Sequence, residues 1–538
     1  MPDRRDFLGR SAALVAGGLA PGARGGGVAP TGLVNGQKEA AEAGNGVLAA
    51  GGNAVDAAVA AAMVAGVVAV HSTGIGGYGG HMVIARPGSK PTAIDFNGAA
   101  PATFRPDIFP LDEKGKVKGA VNDHGWLAAG VPGVMAGLQL ALDRFGSKPF
   151  AELAKSAIKF AREGFPVPRG LAAMFKREQQ GFAKDPGSAK VYYRNGQPPK
   201  EGEVLKNPEL ADLLQTLAEK GRVDDFYQGK ISEQIAAAFK ANGGLVTAED
   251  LAKYRAVEIE PLAIEHPGVG FIHTPPPTAG GLTVLQTYAT LRHLSWWTDD
   301  LEYTAAFAKA EALRIAWSDR LRLLGDPKQV EVPVGRLLSQ EYAEESAKRV
   351  RKSMGERKPM ELTAERRKAG GTIHLNAVDA SGMMVALTFT HGNAFGAQVT
   401  VDRLGLTLGH GMSRFDPRPG TANSPGPGKK PLHNMCPTVV TKDGAPVLAL
   451  GATGGRMIPN TVLDVLSYWA WYKSLARAVK APRMHTEGDL VLRMEGTFMP
   501  ESVERLKRMG YTVRTGPAAT LSAIERDAGT GALQAAMR

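Results

Sequence analysis

The chain has 538 residues, 43% hydrophobic and 22% charged, a balance that excludes fibrous and disordered classes and leaves room for roughly two to four domains. Its single cysteine, Cys436, excludes an intramolecular disulfide and any cysteine-rich metal site. The net charge of +11 is dispersed, and its one dense run, residues 345–368, is interleaved with Glu345, Glu356, Glu361 and Glu365; without a nucleic-acid motif, that run reads as a solvated helix and linker.

In chain order, the first 25 residues read as a leader. Arg4-Arg5, then Phe7-Leu8, then the short weakly apolar stretch 11–20 match a twin-arginine export signal, which predicts a periplasmic or secreted protein. The apolar stretch is too short to span a bilayer. Residues 36–50 predict a helix stopped by Gly51-Gly52, and Asn53 caps a second helix. The apolar run 57–70 has 14 residues, which fits a buried core helix and not a membrane span.

Next comes "STGIGGYGGHMVIAR", a glycine-rich loop opening a strand, with "TAIDF" as its partner. Gly74, Gly76 and Gly79 formally spell G-x-G-x-x-G, but a dinucleotide site needs a strand before and a helix after. Here the order is reversed, so no cofactor is implied. Residues 130–165 predict two amphipathic helices around "GSKPF"; Ser156 and Lys159 match S-x-x-K inside one of them, without the S-D-N that would give the match meaning. Residues 170–350 read as mostly helical, with a loop-to-helix transition at 277–294.

From Thr372 the period changes to two. Residues 372–378 predict a strand, 379–382 a turn and 383–390 the return strand. A second hairpin follows, "CPTVV" and "PVLAL" around Asp443-Gly444, with Cys436 as a buried inert thiol. Its last strand runs through "GATGGRMIPN" into the helix "TVLDVLSYWAWYKSL". Helices, then hairpins, then helices predict an α/β layered sandwich.

Two places carry candidate chemistry. A threonine hydroxyl needs a base. If the chain is cut before Thr372, the new α-amine, with a pKa of about 7.7–8.0, becomes that base. The flexible glycine at Gly371 permits close approach of the hydroxyl to its carbonyl. The alternative is a loop followed by an ordinary edge strand. At Gly454-Gly455, a strand running into a helix exposes two adjacent backbone N–H groups suited to an oxyanion, although a plain strand-to-helix turn has the same pattern.

The whole chain after the leader resembles the γ-glutamyltranspeptidases (glutathione hydrolases) of the N-terminal-nucleophile superfamily. The resemblance rests on "GGNAVDAAVAAAMVAGVVAVHSTGIGGYGGHMVIAR", "TAIDFNGAAPA", "GTIHLNAVDASGMMVALTFT" and "GKKPLHNMCPTVV…LALGATGGRMI". It implies an αββα fold and a proenzyme cut between Gly371 and Thr372. The products would be a large subunit, 26–371, and a small one, 372–538, paired as a heterodimer. It implies that Thr372 is the nucleophile, that Thr390 orients it and that Gly454 and Gly455 form the oxyanion hole. It implies no metal or organic cofactor, no nucleic-acid partner, and a small amide substrate, glutathione-like or another acyl amide.

The substrate-binding positions depart from the family. Where a carboxylate receives the substrate ammonium, "GHGMSRF" has Arg414. The serine pair before Met-x-Pro is His433-Asn434. The asparagine after Thr390 appears as Gly392, with Asn393 one place on, and the arginine that clamps the α-carboxylate aligns with Pro106, leaving Arg105 adjacent. Arg414 offers a fork for a carboxylate unless it faces solvent or pairs with Asp416; Asp402 is a second acid that could offset it. Three functions follow: a γ-glutamyl hydrolase or transpeptidase with a shifted site, an acylase of dicarboxylic (glutaryl-type) monoamides, or an exported binding protein without activity.

Overall fold

The computed structural model describes residues 32–294, 302–362 and 371–538. The leader at 1–25 and the basic approach to the cleavage point at 366–370 lie outside the described residues.

The chain begins with strand β1 (Gly32–Asn35) and helices α1 (Lys38–Ala49) and α2 (Ala54–Val68). Asn53 caps α2 in a reciprocal capping box with Asp56, as its position before the apolar run predicts. Every residue of α2 is buried, which explains why the helix is apolar all round and not striped. Buried Asp56 accepts from Asn53 N–H (2.9 Å), Ser147 N–H (2.9 Å) and the Ser147 hydroxyl (2.5 Å), so its charge is fully hydrogen-bonded. Strands β2 (Gly79–Ala85) and β3 (Thr92–Asp95) follow, then helices α3 (Val134–Phe145) and α4 (Phe150–Glu163).

The helical reading of 170–350 needs one correction. Residues 257–274 form three strands, β4 (Val257–Ile259), β5 (Leu262–His266) and β6 (Gly270–Thr274). Beyond them come α5 (Gly281–Arg292) and α6 (Glu302–Leu323). The two predicted hairpins are β7 (Gly371–Asp379) with β8 (Met384–Gly392), and β9 (Thr438–Lys442) with β10 (Ala445–Thr453). After α7 (Ile458–Tyr472), strands β11 (Thr520–Arg526) and β12 (Leu533–Met537) close the chain.

These strands make two six-stranded antiparallel sheets, in the orders β1-β7-β8-β2-β3-β4 and β12-β11-β10-β9-β6-β5. Small and branched side chains fill the space between them: Val83, Val378, Ala386, Val439, Ala449 and Ile524. Helices α1 and α2 cover the outer face of the first sheet, and α5 and α7 cover that of the second. The result is the αββα sandwich. No described helix is long and apolar enough to cross a membrane.

Between the sheets, His374 of β7 lies against Gly451 of β10, where an added Cβ would sit 2.3 Å from the imidazole. Val378, further along β7, shares the inter-sheet core with Ala449. Reading β7 backward therefore advances along β10. Thr372 comes level with the Thr453–Gly454 end, so the two candidate sites share one end of the sandwich.

Candidate active site

Thr372 is the second residue of β7 and Thr390 lies near the end of β8. The strands pair regularly up to Phe389 and Ile373, then shift register so that Gly392 faces Gly371. Strand β8 stays in register with β2 through Thr390, so ordinary alternation puts Thr390 on the face that Thr388 shares with His374. Thr390 Oγ1 donates to the Gly371 carbonyl at 2.7 Å, and Thr372 Oγ1 donates to the same carbonyl at 2.5 Å. The two hydroxyls stand 3.4 Å apart, and the Gly392 N–H holds Thr390 Oγ1 at 2.7 Å. Both threonines are buried. Two hydroxyls on one carbonyl oxygen draw electron density from the carbonyl carbon of the Gly371–Thr372 peptide, the bond that autocleavage would break.

The glycine-rich loop reaches this point from the other side. A Cβ on Gly77 would sit 2.8 Å from the Thr390 carbonyl oxygen, so the loop's glycines serve close packing against the site. At the end of β10, Gly454 has φ +139° and Gly455 φ +63°. Side chains are disfavoured at both, and the two amides turn into the short helical turn Gly455–Met457 that leads to α7.

The family model described as Gamma-glutamyltranspeptidase matches residues 40–537. The chain belongs to the γ-glutamyltranspeptidase family. It is therefore an enzyme, an N-terminal-nucleophile hydrolase or transferase. The Escherichia coli glutathione hydrolase proenzyme is 36% identical over 498 residues, covering 88% of this chain and 84% of the relative. The acylase ACY 1 proenzyme of Pseudomonas sp. (strain V22) is 34% identical over 490 residues, 89% of this chain and 86% of that one. Among solved structures, cephalosporin acylase from Bacillus halodurans superposes with a TM-score of 0.82 at 28% identity, covering 96% of this chain and 95% of the other. Helicobacter pylori γ-glutamyltranspeptidase matches with a TM-score of 0.57 at 32% identity, over 63% of this chain and 95% of its own.

Within this transpeptidase-family enzyme, a cavity of about 690 Å³ is lined by Asn393, Arg414 and Asn434. The sequence-predicted positions therefore divide. Those three line the cavity, while Arg105 stands outside the lining, solvent-exposed and paired with Asp107 at 3.4 Å. His433 is buried behind the wall, its ring stacked on His81 with the two Nε2 atoms 2.5 Å apart. The Met435 N–H donates to His433 Nδ1 at 3.3 Å, so His433 carries its proton on Nε2 and donates it to His81. His433 thereby anchors the segment that presents Asn434 to the cavity.

Arg414 is half-buried in the cavity lining and does not pair with the acids around it. Asp416 binds Arg418 at 2.8 Å and Asp402 binds Lys190 at 2.8 Å. Arg414 Nη2 instead reaches His410 Nε2 at 3.0 Å and Asn393 Oδ1 at 3.4 Å. Lys114, Lys116, Arg320, Arg414, Arg418 and Arg456 line the cavity against the acids Asp123 and Asp416, which makes the space electropositive. Arg456 is itself paired with Glu487. Cys436 is fully buried and burial pushes its thiol up to about 12, so it is inert at neutral pH.

Sequence reasoning took Arg414 from "GHGMSRF" and passed over His410 four residues earlier. It also passed over His391, buried beside Thr390 with neither ring nitrogen partnered among the described residues. Burial and the neighbouring His71 depress His391 to about 3, so it packs as a neutral ring.

Proposed function

We propose that the chain cuts itself between Gly371 and Thr372 and that the freed Thr372 cleaves γ-glutamyl or related acyl amides through an acyl-enzyme. The subunits would be 26–371 and 372–538, held together by the two sheets to which both contribute strands. The convergence of the Thr372 and Thr390 hydroxyls on the Gly371 carbonyl carries this reading. In the precursor, Thr372 Oγ1 adds to the Gly371 carbonyl carbon, the C–N bond breaks as the hydroxyl proton passes to the departing amine, and water hydrolyses the resulting ester to free the Gly371 carboxylate and the Thr372 hydroxyl. In the mature enzyme that amine takes the Thr372 proton as the oxygen attacks the substrate carbonyl. The Gly454 and Gly455 N–H groups hold the oxyanion, the amine product leaves with the proton, and water releases the acyl group. Thr390 keeps the nucleophile's oxygen oriented.

A second reading concerns the acyl group. Arg414 on an electropositive wall favours an acyl chain that ends in a carboxylate, a dicarboxylic monoamide of the glutaryl type. Relatives named acylase ACY 1 and cephalosporin acylase stand beside the glutathione hydrolases in similarity. Purified processed enzyme assayed with γ-glutamyl- and glutaryl-p-nitroanilide decides both points, since the two differ only in the α-amino group. The glutaryl compound is expected to be the better substrate. A clear γ-glutamyl preference removes the second reading, and hydrolysis of neither removes the first.

We propose further that the folded precursor is exported by the twin-arginine route, on the strength of Arg4-Arg5 and Phe7-Leu8. Fractionation of the producing cell should find the processed enzyme outside the cytoplasm; retention inside contradicts it.

A further inference from the structure

His410 is fully buried and precedes the short helical turn Gly411–Arg414 that carries Arg414. Its Nε2 faces two donors, the Asn393 N–H at 2.7 Å and Arg414 Nη2 at 3.0 Å. Neither donor has a lone pair to offer, so Nε2 must be the bare acceptor. The proton then sits on Nδ1, which lies 3.1 Å from the Asp123 carbonyl oxygen and donates to it. All three contacts agree on one neutral tautomer. Burial, and then the charge of Arg414, hold His410 well below the usual histidine range, so the acceptor persists at neutral pH.

We propose that His410 is a positioning residue that holds Arg414 at the cavity wall and ties it to the segment carrying Thr390. The inference rests on the reading of Arg414 as the group that receives an anionic acyl end. A neutral acceptor suits that task. A carboxylate in its place would fix the guanidinium equally well but would also cancel its charge. The imidazole takes one N–H and leaves the charge available. Arg414 also hydrogen-bonds the buried Tyr78 hydroxyl, a second neutral partner that leaves its charge uncancelled.

The tie to the nucleophile is equally direct. Successive amides of one segment divide their work, the Gly392 N–H holding Thr390 Oγ1 and the Asn393 N–H holding His410. Gly392 has φ +99°, and a Cβ there would lie 2.0 Å from His410 Cδ2 and 3.2 Å from Arg414 Nη2. Only glycine lets the imidazole come so close to the strand that orients the nucleophile. Acyl recognition and the Thr390 hydroxyl are therefore set by a single backbone turn.

The test uses full-length enzyme that has processed itself and compares His410→Asn with His410→Gln. The asparagine oxygen is too short to reach the Nε2 position, whereas the glutamine oxygen reaches it. A lost hydrogen bond to a charged partner predicts that His410→Asn raises KM for glutaryl-p-nitroanilide about tenfold, with kcat changed less than about twofold. His410→Gln should restore KM to within about threefold of the parent. In an Arg414→Leu background, His410→Asn should have a much smaller effect on KM than in the parent, the remainder being what His410 contributes through the Asn393 N–H. Equal losses in both variants, a fall confined to kcat, or additive losses in the Arg414→Leu background overturn the proposal and leave His410 a packing residue. If Arg414→Leu alone leaves KM for the glutaryl compound unchanged, the reading of the acyl site fails first, and the experiment separates the two failures.

Discussion

Thr372→Ala is expected to give one uncut chain, with amidase activity lower by about four orders of magnitude or more, the scale on which loss of a catalytic nucleophile acts. The geometry explains why the same residue controls both outcomes. Thr372 Oγ1 lies 2.5 Å from the Gly371 carbonyl oxygen, and alanine leaves nothing to add to that carbonyl. The α-amine that serves as base exists only once the bond is broken. Thr372→Ser keeps a hydroxyl and should still process, more slowly, because it lacks the methyl group that restricts the rotamer. Neither variant disturbs the fold, since Thr372 belongs to a nine-residue strand whose register is fixed by pairing from Ile373 onward. A denaturing gel of the purified protein, with N-terminal sequencing of the small fragment, reads the result. The parent fragment should begin Thr-Ile-His-Leu-Asn. Cleavage of the alanine variant at the same bond would assign the cut to another protease and end the self-processing mechanism.

Much of this site could be read from residue order alone, because its features are local. Asn53 before an apolar run specifies a capped helix, and the switch to period two at Thr372 specifies a hairpin whose first two side chains on the buried face are threonine and histidine. The two adjacent glycines at the end of β10 are visible as a pair that tolerates positive φ. The three strands at 257–274 were legible in principle. "VEIEPLAIEH" alternates apolar and polar residues in the manner of a half-exposed edge, but it stands among helices, and Pro261 interrupts it. What sequence order could not show is where long side chains go. Arg105 and Arg414 are both arginines beside a predicted site, yet one pairs with Asp107 in solvent and the other turns inward to a histidine. His433 occupies a substrate-binding position in order but stacks on His81, 352 residues away, and leaves Asn434 to line the cavity. Each outcome depends on a partner brought in by tertiary structure.

Charge reversal at that inward arginine should produce the second large effect. Arg414→Asp is expected to move the ratio of kcat/KM for γ-glutamyl- over glutaryl-p-nitroanilide upward by about two to three orders of magnitude. Two unit charges about 4 Å apart interact by about 4 kcal/mol at an effective dielectric near 20, roughly a thousandfold in binding. With arginine, that interaction opposes the α-ammonium of a γ-glutamyl group and leaves a glutaryl chain, which has no such cation, unopposed. With aspartate, the sign reverses for the ammonium and for the carboxylate, but the carboxylate is common to both compounds and cancels in the ratio. Two features reduce the full figure. Aspartate is shorter than arginine and stands further from the substrate, and Lys114 and Lys116 keep part of the wall positive. The neighbours also favour the exchange, because the Asn393 and Gly392 amides are already committed to His410 and Thr390 and do not depend on the guanidinium. Processing should therefore proceed in the variant as in the parent, which separates acyl recognition from the chemistry at Thr372. A ratio unchanged within about threefold, in enzyme that has processed normally, would mean that the acyl tail binds away from Arg414.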